Sequence, residues 1–226
     1  MHVDPHLLSH TSFEAYLFDL DGTLLNTTPD IAYAVNVMRA SEDLPALSLS
    51  EVERGVGRGA TELILATTPP QMHDRVHELR QVFVHAYQDH LCVDTYPYEG
   101  AIECLKMISE RGKRLALITN KPERLATPLL DAFAWNELFE VKLYGDSLSE
   151  RKPSPLPINH TIERLGVERS RCVFIGDTEV DAQAAQSAGV HFWAVSWGRV
   201  AKSVKRGTWG GRSEVLASYD LIQDDR

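Results

Sequence analysis

The chain is poor in several things, and each shortage closes off a class of function. It has three cysteines in 226 residues, Cys92, Cys104 and Cys172, without the close spacing of a zinc site. Three scattered thiols make no disulfide framework and point to a reducing compartment. No apolar run approaches the length of a membrane-crossing helix, so a membrane role is not expected. The start, Met1-His2-Val3-Asp4-Pro5-His6, has neither a basic flank nor an apolar signal core, and the expected location is cytoplasmic. Positive charge is scarce as well: 23 Lys and Arg stand against 32 Asp and Glu, a net charge of −9. That balance disfavours nucleic acid and anionic membranes as partners. An anionic small molecule would need cations placed locally. His2, His6 and His10 are evenly spaced, but Pro5 interrupts them at a chain end, so they read as a solvated tail. What remains, 43% hydrophobic and 24% charged, is the composition of a globular chain able to bury a large core.

What the chain does have begins at Ala15. Ala15 to Phe18 is a short apolar run of buried-strand character that delivers Asp19-Leu20-Asp21-Gly22-Thr23. Side chains two apart on a strand point the same way, but here the chain is leaving the pleat. Asp19 then offers its carboxylate, while Asp21 offers its backbone carbonyl or its own carboxylate. Gly22 permits a tight turn with its N–H exposed, and Thr23 adds a hydroxyl. Two carboxylates this close repel unless a cation or a shared proton lies between them. Hard oxygen ligands suit Mg²⁺, which keeps waters and a substrate phosphate in its shell. Taken alone, the run reads equally well as a solvated Asp-X-Asp-Gly turn.

From Leu25 to Gly100 the pattern is helical, far longer than an ordinary connection. Pro29 suits a first turn, and Ile31, Ala34, Val35 and Met38 repeat at helical spacing. Ser50 with Glu53 predicts a capping box opening a second helix. Pro69-Pro70 opens a third run in which Met72, Val76, Leu79, Phe83 and Ala86 share one face. These stripes predict a small helical cap, residues 27–96, inserted into a core made of 1–26 and 97–226. An excursion that leaves and returns beside one strand predicts a lid that excludes water and selects the substrate. Within it, Gly55-Val56-Gly57-Arg58-Gly59 holds one guanidinium on a short loop. Arg58 reads either as the group that binds the far end of an anionic substrate or as a solvated residue in a connector.

From Ala101 helices and strands alternate, the pattern of an α/β domain with a mainly parallel sheet. Ligands of such sheets bind beyond the carboxyl ends of the strands. Leu115 to Ile118 runs into Thr119-Asn120, and Pro122 starts a helix whose N–H groups favour an anion. Val141 to Tyr144 reads as a strand, followed by Arg151-Lys152-Pro153, where a lysine before proline is held extended and aimed. Read alone, that pair is equally a surface basic patch. Arg171 to Ile175 leads to Gly176-Asp177-Thr178-Glu179-Val180-Asp181. Asp177 then lies beside Asp19 as a further metal ligand, and Asp181 bonds Lys152 or a metal water. Phe192 to Val195 is a last core strand, and Ala217 to Ile222 reads as an edge strand.

These polar stops, Asp19-Leu20-Asp21-Gly22-Thr23, Thr119-Asn120, Lys152-Pro153 and Gly176 to Asp181, resemble in order the signature of the haloacid dehalogenase superfamily. The resemblance runs from Tyr16 to Gly198. Leu24 to Asp30, Tyr98-Glu99-Gly100, Ile118 to Pro122 and Arg151 to Pro155 further resemble the phosphoglycolate phosphatase group. It implies a Rossmann-like, mainly parallel sheet with helices on both faces, a helical cap, and Mg²⁺-dependent hydrolysis of a small phosphate ester, first of all 2-phosphoglycolate. By this resemblance Asp19 is the nucleophile and Asp21 the general acid and base. Mg²⁺ is expected on Asp19, Asp21 and Asp177, with the Gly22 N–H, Thr119, Asn120 and Lys152 around the phosphoryl oxygens. A sugar-phosphate phosphatase, a phosphomutase or a pyrophosphatase of the same core fits the motifs too, and more remotely a non-catalytic binding module. A homodimer is left open. Two departures stand out: Asn26 where the group carries aspartate, and a basic, glycine-rich segment, 199–212, whose role is open.

Overall fold

The computed structural model describes residues 13–205 and 213–216. The run Ala15–Phe18 forms strand β1, buried along its whole length, and the sheet is built around it. Its neighbours are β4 (Arg114–Ile118) and β6 (Cys172–Gly176), both parallel to it. β5 (Val141–Leu143) lies outside β4, and β7 (His191–Val195) with β8 (Ser213–Leu216) lies outside β6. The order is β5-β4-β1-β6-β7-β8, and every pairing in it is parallel. Strands buried on both faces read as unbroken apolar runs because alternate side chains serve different cores. Tyr16, Phe18, Leu117 and Ile175 enter the core shared with α5 (Ala101–Glu110) and α6 (Glu123–Ala132). Leu17, Ala116, Phe174 and Phe192 enter the one shared with α7 (Leu156–Leu165) and α8 (Glu179–Ala188). The α/β sheet with helices on both faces is therefore present, and among the described strands it is wholly parallel.

A two-stranded antiparallel ribbon, β2 (Leu25–Asn26) and β3 (Tyr96–Pro97), stands where the chain leaves the core and returns. Between them lie α1 (Thr28–Ala40), α2 (Leu49–Glu53), α3 (Ala60–Thr67) and α4 (Val76–Asp89). Their inward stripes, among them Val35, Met38, Ile64, Leu79 and Phe83, form a third core that Leu125 of α6 joins from below. Asp30, fully buried at the start of α1, ties the two crossings together. Its carboxylate accepts the N–H groups of Val93 (3.1 Å), Asp94 (2.8 Å) and Thr95 (3.1 Å), and the Thr95 hydroxyl at 2.7 Å.

Two local expectations are corrected. The capping box of α2 is Ser48 with Glu51, not Ser50 with Glu53: Glu51 accepts the Ser48 N–H at 2.8 Å, so the helix begins two residues earlier and buries Val52. Pro69-Pro70 leads first into a 3₁₀ turn, Pro70–Arg75, and only then into α4. The outermost described strand is Ser213–Leu216, and the edge strand expected at Ala217 to Ile222 lies outside the described residues. His2, His6, His10 and the 206–212 part of the basic segment lie outside them too, while Ala201–Lys205 is a short helix, α9.

Replacing Asp30 strands three backbone N–H groups at the crossing. Asp30→Ala should lower stability by about 2–4 kcal/mol in urea unfolding, the cost of losing charge-assisted bonds to one buried acceptor. A loss under about 0.5 kcal/mol would show that the two crossings hold without it.

Candidate functional site

The polar stops arrive at one edge of the sheet. β1 leads directly into Asp19, whose N–H bonds the Ile175 carbonyl of β6 at 3.0 Å. The Leu20 carbonyl then accepts the N–H groups of Thr23, Leu24 and Leu25, curling the chain into a loop that carries Asp21. At Gly22 φ is +85°, and a Cβ there would stand 2.5 Å from Asp177 Oδ2. Glycine lets this loop lie against the one after β6. Lys152 comes in from the loop after β5, its ammonium 2.7 Å from Asp19 Oδ1 and 2.7 Å from Asp181 Oδ1. Thr178 caps α8, and its hydroxyl donates to Asp181 Oδ2 at 2.6 Å. Asp181 is thus fixed from two sides. The Thr23 hydroxyl donates to Asp177 Oδ1 at 3.3 Å. Asp21 is held separately: its Oδ1 accepts the Thr27 hydroxyl at 2.6 Å and the Lys121 ammonium at 2.9 Å.

Six charged groups are packed here almost out of reach of water. Asp19, Asp21, Asp177, Asp181, Lys121 and Lys152 are each at most 9% exposed. Four carboxylates against two ammonium groups leave the cluster two positive charges short. Burial pushes Asp19 up to about 7, with Lys152 pulling it down and Asp181 pushing it further up. Asp177 is pushed well above the carboxylate range by burial and then by Asp181 and Asp19. Full ionisation of the set therefore calls for one more divalent charge. Carboxylate oxygens of Asp19, Asp177 and Asp181 lie within 4.8 Å of one another, and this acidic cluster can hold a metal ion. Lys152 and Thr178 already engage both oxygens of Asp181, which leaves Asp19 and Asp177 as the better placed ligands.

The structure brings Asp19, Asp21, Thr119, Asn120, Lys152, Asp177 and Asp181 to this one rim, but it corrects two roles. The Gly22 N–H is not exposed: it donates to the Leu25 carbonyl at 2.8 Å, because the turn closes on itself. The Asn120 carboxamide is not free for a phosphate either. Its Nδ2 donates to the Lys152 carbonyl at 2.9 Å and to the Gly57 carbonyl at 3.0 Å, so it joins the Lys152 loop to the helical insertion. The Thr119 oxygen accepts the Lys121 N–H at 3.1 Å and keeps its own proton to donate. Arg58 is exposed; its neighbours Gly57 and Gly59 line the cleft between core and insertion, while its side chain does not. That cleft is lined by Asp19, Asp21 and Thr119 as well. Sequence reasoning passed over three residues. Lys121 holds Asp21, Thr27 bonds it from the other side, and the Arg199 guanidinium donates to the cap carbonyls of Glu53 and Val56. The signal for Lys121 was its place directly after Thr119-Asn120 at a strand end; Arg199 opens the unusual basic segment 199–212, but nothing local pointed it at the insertion.

Comparison with known proteins agrees with this geometry. The family model of the haloacid dehalogenase-like hydrolases matches residues 16–195. The chain is 35% identical over 190 residues to a phosphoglycolate phosphatase of Nitrosospira multiformis, covering 82% of this chain and 84% of that one. It is 34% identical over 210 residues to an N-acetylmuramic acid 6-phosphate phosphatase of Pseudomonas aeruginosa, covering 92% and 93%. A crystal structure described as a predicted phosphoglycolate phosphatase from Haemophilus somnus 129pt superposes with a TM-score of 0.86 at 28% identity, over 96% of this chain and 100% of that one.

The charge shortage sets a pH dependence. Folded, cation-free Asp19 keeps its proton up to about 7, against 3.8 for an ordinary aspartate. The folded state then binds more protons than the unfolded chain, so this contribution to stability falls as pH rises through that window. A bound divalent cation removes the penalty and expels the protons. Mg²⁺ should therefore raise Tm more at about pH 7.5 than at about pH 5.5, and Asp177→Asn should abolish the gain. Equal gains at both pH values, or a gain that survives in the variant, would contradict the cation site.

Proposed function

The chain belongs to the haloacid dehalogenase-like hydrolase family, and on that premise we propose that it hydrolyses small anionic phosphate monoesters, 2-phosphoglycolate first among them. One observation carries the reading. Two carboxylates two residues apart have different partners, Asp19 with Lys152 and Asp21 with Thr27 and Lys121, as a nucleophile and a separate acid require. An Asp19 oxygen attacks phosphorus and forms an acyl-phosphate as the bond to the ester oxygen breaks. Asp21 gives its proton to the departing alkoxide. It then takes a proton from water, which attacks the acyl-phosphate, releases inorganic phosphate and restores Asp19. Lys152 and the Thr119 hydroxyl balance the charge on the phosphoryl oxygens. When bound, Mg²⁺ supplies the missing positive charge, with the carboxylates of Asp19 and Asp177 and the Asp21 carbonyl as its expected ligands.

The helical insertion, residues 27–96, serves as the lid in this reading. Asn120 and Arg199 grip the carbonyls of its Glu53 to Gly57 loop from the core side, which supports a closed arrangement over the phosphate. Arg58, exposed at the outer side of that loop, is proposed as a rim contact for the far end of a longer substrate. The broad match to the N-acetylmuramic acid 6-phosphate phosphatase favours a carboxylated sugar phosphate as the second candidate.

A phosphate-release screen with Mg²⁺ should find one of these two esters hydrolysed with a higher kcat/KM than nucleotides, simple hexose phosphates or pyrophosphate. Asp19→Asn should cut that activity by at least about 1000-fold, the scale of losing a nucleophile. Release of phosphate from none of them, or an Asp19→Asn variant within about tenfold of the parent, would overturn the proposal. Transfer of the group to a second hydroxyl of a sugar, seen in the products, would make the chain a mutase instead.

A further inference from the structure

The cleft carries a positive charge that recognises nothing in the scheme above. Of the described residues that line it, Lys121 is the cationic one, and its ammonium is buried. An ammonium has three N–H donors. One goes to Asp21 Oδ1 at 2.9 Å, and the group also stands 4.5 Å from the centroid of the Tyr87 ring, on α4 of the insertion. The Tyr87 hydroxyl is fully buried; the Lys121 ammonium is the polar group beside its oxygen, and its own proton meets no acceptor among the described residues. A buried polar group left unpaired is costly, which favours any ligand oxygen that reaches it. Burial pushes this phenol up to about 12 against the pull of the neighbouring ammonium, so it is a donor at neutral pH. The surrounding wall is apolar: Ile31, Val56, Leu63, Phe83 and Leu125. An apolar wall with two donors converging at one place is the build of a recognition subsite.

We propose that Lys121 and Tyr87 form a subsite for a carboxylate on the organic part of the substrate, so that the preferred esters are phosphorylated hydroxy acids. The placement of the leaving group rests on the phosphatase reading. Lys121 touches Asp21, the residue assigned to protonate the ester oxygen, so a carboxylate a few bonds from that oxygen falls within its reach. There it receives a charge-assisted bond from Lys121 and a second bond from the Tyr87 phenol. A substrate without the carboxylate leaves the Tyr87 proton buried without an acceptor and Lys121 with Asp21 as its one anionic partner, which is how a polar subsite rejects the wrong ligand. Because one donor comes from the core and the other from the insertion, the subsite is complete only with the insertion seated. Arg58, outside the cleft, takes no part in it.

The test separates binding from turnover. Calorimetry on the Mg²⁺-loaded protein compares 3-phosphonopropionate, a non-hydrolysable analogue of phosphoglycolate, with propylphosphonate, which matches its length but lacks the carboxylate. The parent should bind the carboxylate ligand roughly 10- to 100-fold more tightly. Lys121→Met should erase that preference while propylphosphonate binding stays within about threefold, and Lys121→Arg should keep part of it. Tyr87→Phe should reduce the preference severalfold. No preference in the parent, a preference that survives Lys121→Met, or equal weakening of both ligands by that variant would overturn the subsite. If Lys121→Met does not fold, full selectivity in both Lys121→Arg and Tyr87→Phe overturns it as well. A parent that binds the carboxylate ligand selectively but hydrolyses no ester would sink the phosphatase reading and leave the subsite standing.

Discussion

One ammonium shared by two carboxylates holds the centre of this molecule together. Lys152 meets Asp19 and Asp181 at 2.7 Å each; Asp19 follows β1, Lys152 lies in the loop after β5, and Asp181 lies in the first turn of α8. A buried charge network is weak evidence for stability, since the desolvation of each ion offsets much of the attraction. It is strong evidence for geometry, because removing Lys152 leaves two buried carboxylates without their shared cation. Parallel pairing puts the strand ends of β1 and β6 level, and small residues then close the distance. A Cβ at Gly176 would stand 2.5 Å from that of Asp181, as one at Gly22 would meet Asp177. The sheet's register and the site's register are the same thing.

The same cluster explains why the site needs a cation and a cover. Two ammonium groups cannot balance four buried carboxylates, and the raised proton affinity of Asp19 and Asp177 is the visible consequence. A proton or a divalent ion can make up the difference, and the proposed role of Asp19 as nucleophile calls for the ion. Excluding water strengthens every one of these interactions, which gives the helical insertion a physical purpose. Its seat is polar and specific: Arg199 and Asn120 grip its backbone carbonyls, and Tyr98 of the neck stacks on Trp197, whose indole N–H holds the Gly22 carbonyl at 3.0 Å.

Much of this was legible in the sequence, and the pattern of what was not is informative. Strand ends can be read because a buried parallel strand is a local signal, an apolar run that stops at a polar residue. Hence Asp19, Thr119 and Asp177 could be placed without coordinates. What local patterns do not encode is the partner. Asn120 reads as a donor for a ligand, yet the carbonyls of Lys152 and Gly57, brought close only by the fold, take both its N–H bonds. Gly22 reads as an exposed N–H, yet its own turn consumes it. Lys121 lies in plain sight beside Thr119, but its meaning depends on Asp21, 100 residues away, and on Tyr87 in the insertion. The misplaced cap of α2 is a different kind of miss: Ser48/Glu51 and Ser50/Glu53 carry the same local motif, and packing of Val52 chooses between them.

The account turns on Asp19 becoming covalently phosphorylated while Asp21 does not. Borohydride reduction of protein quenched during turnover converts an acyl-phosphate to homoserine, which peptide mass spectrometry can assign to a single position. Homoserine at residue 19 and an intact aspartate at residue 21 is the predicted result. Homoserine at residue 21, or an unmodified peptide from protein that is demonstrably turning over, would contradict it.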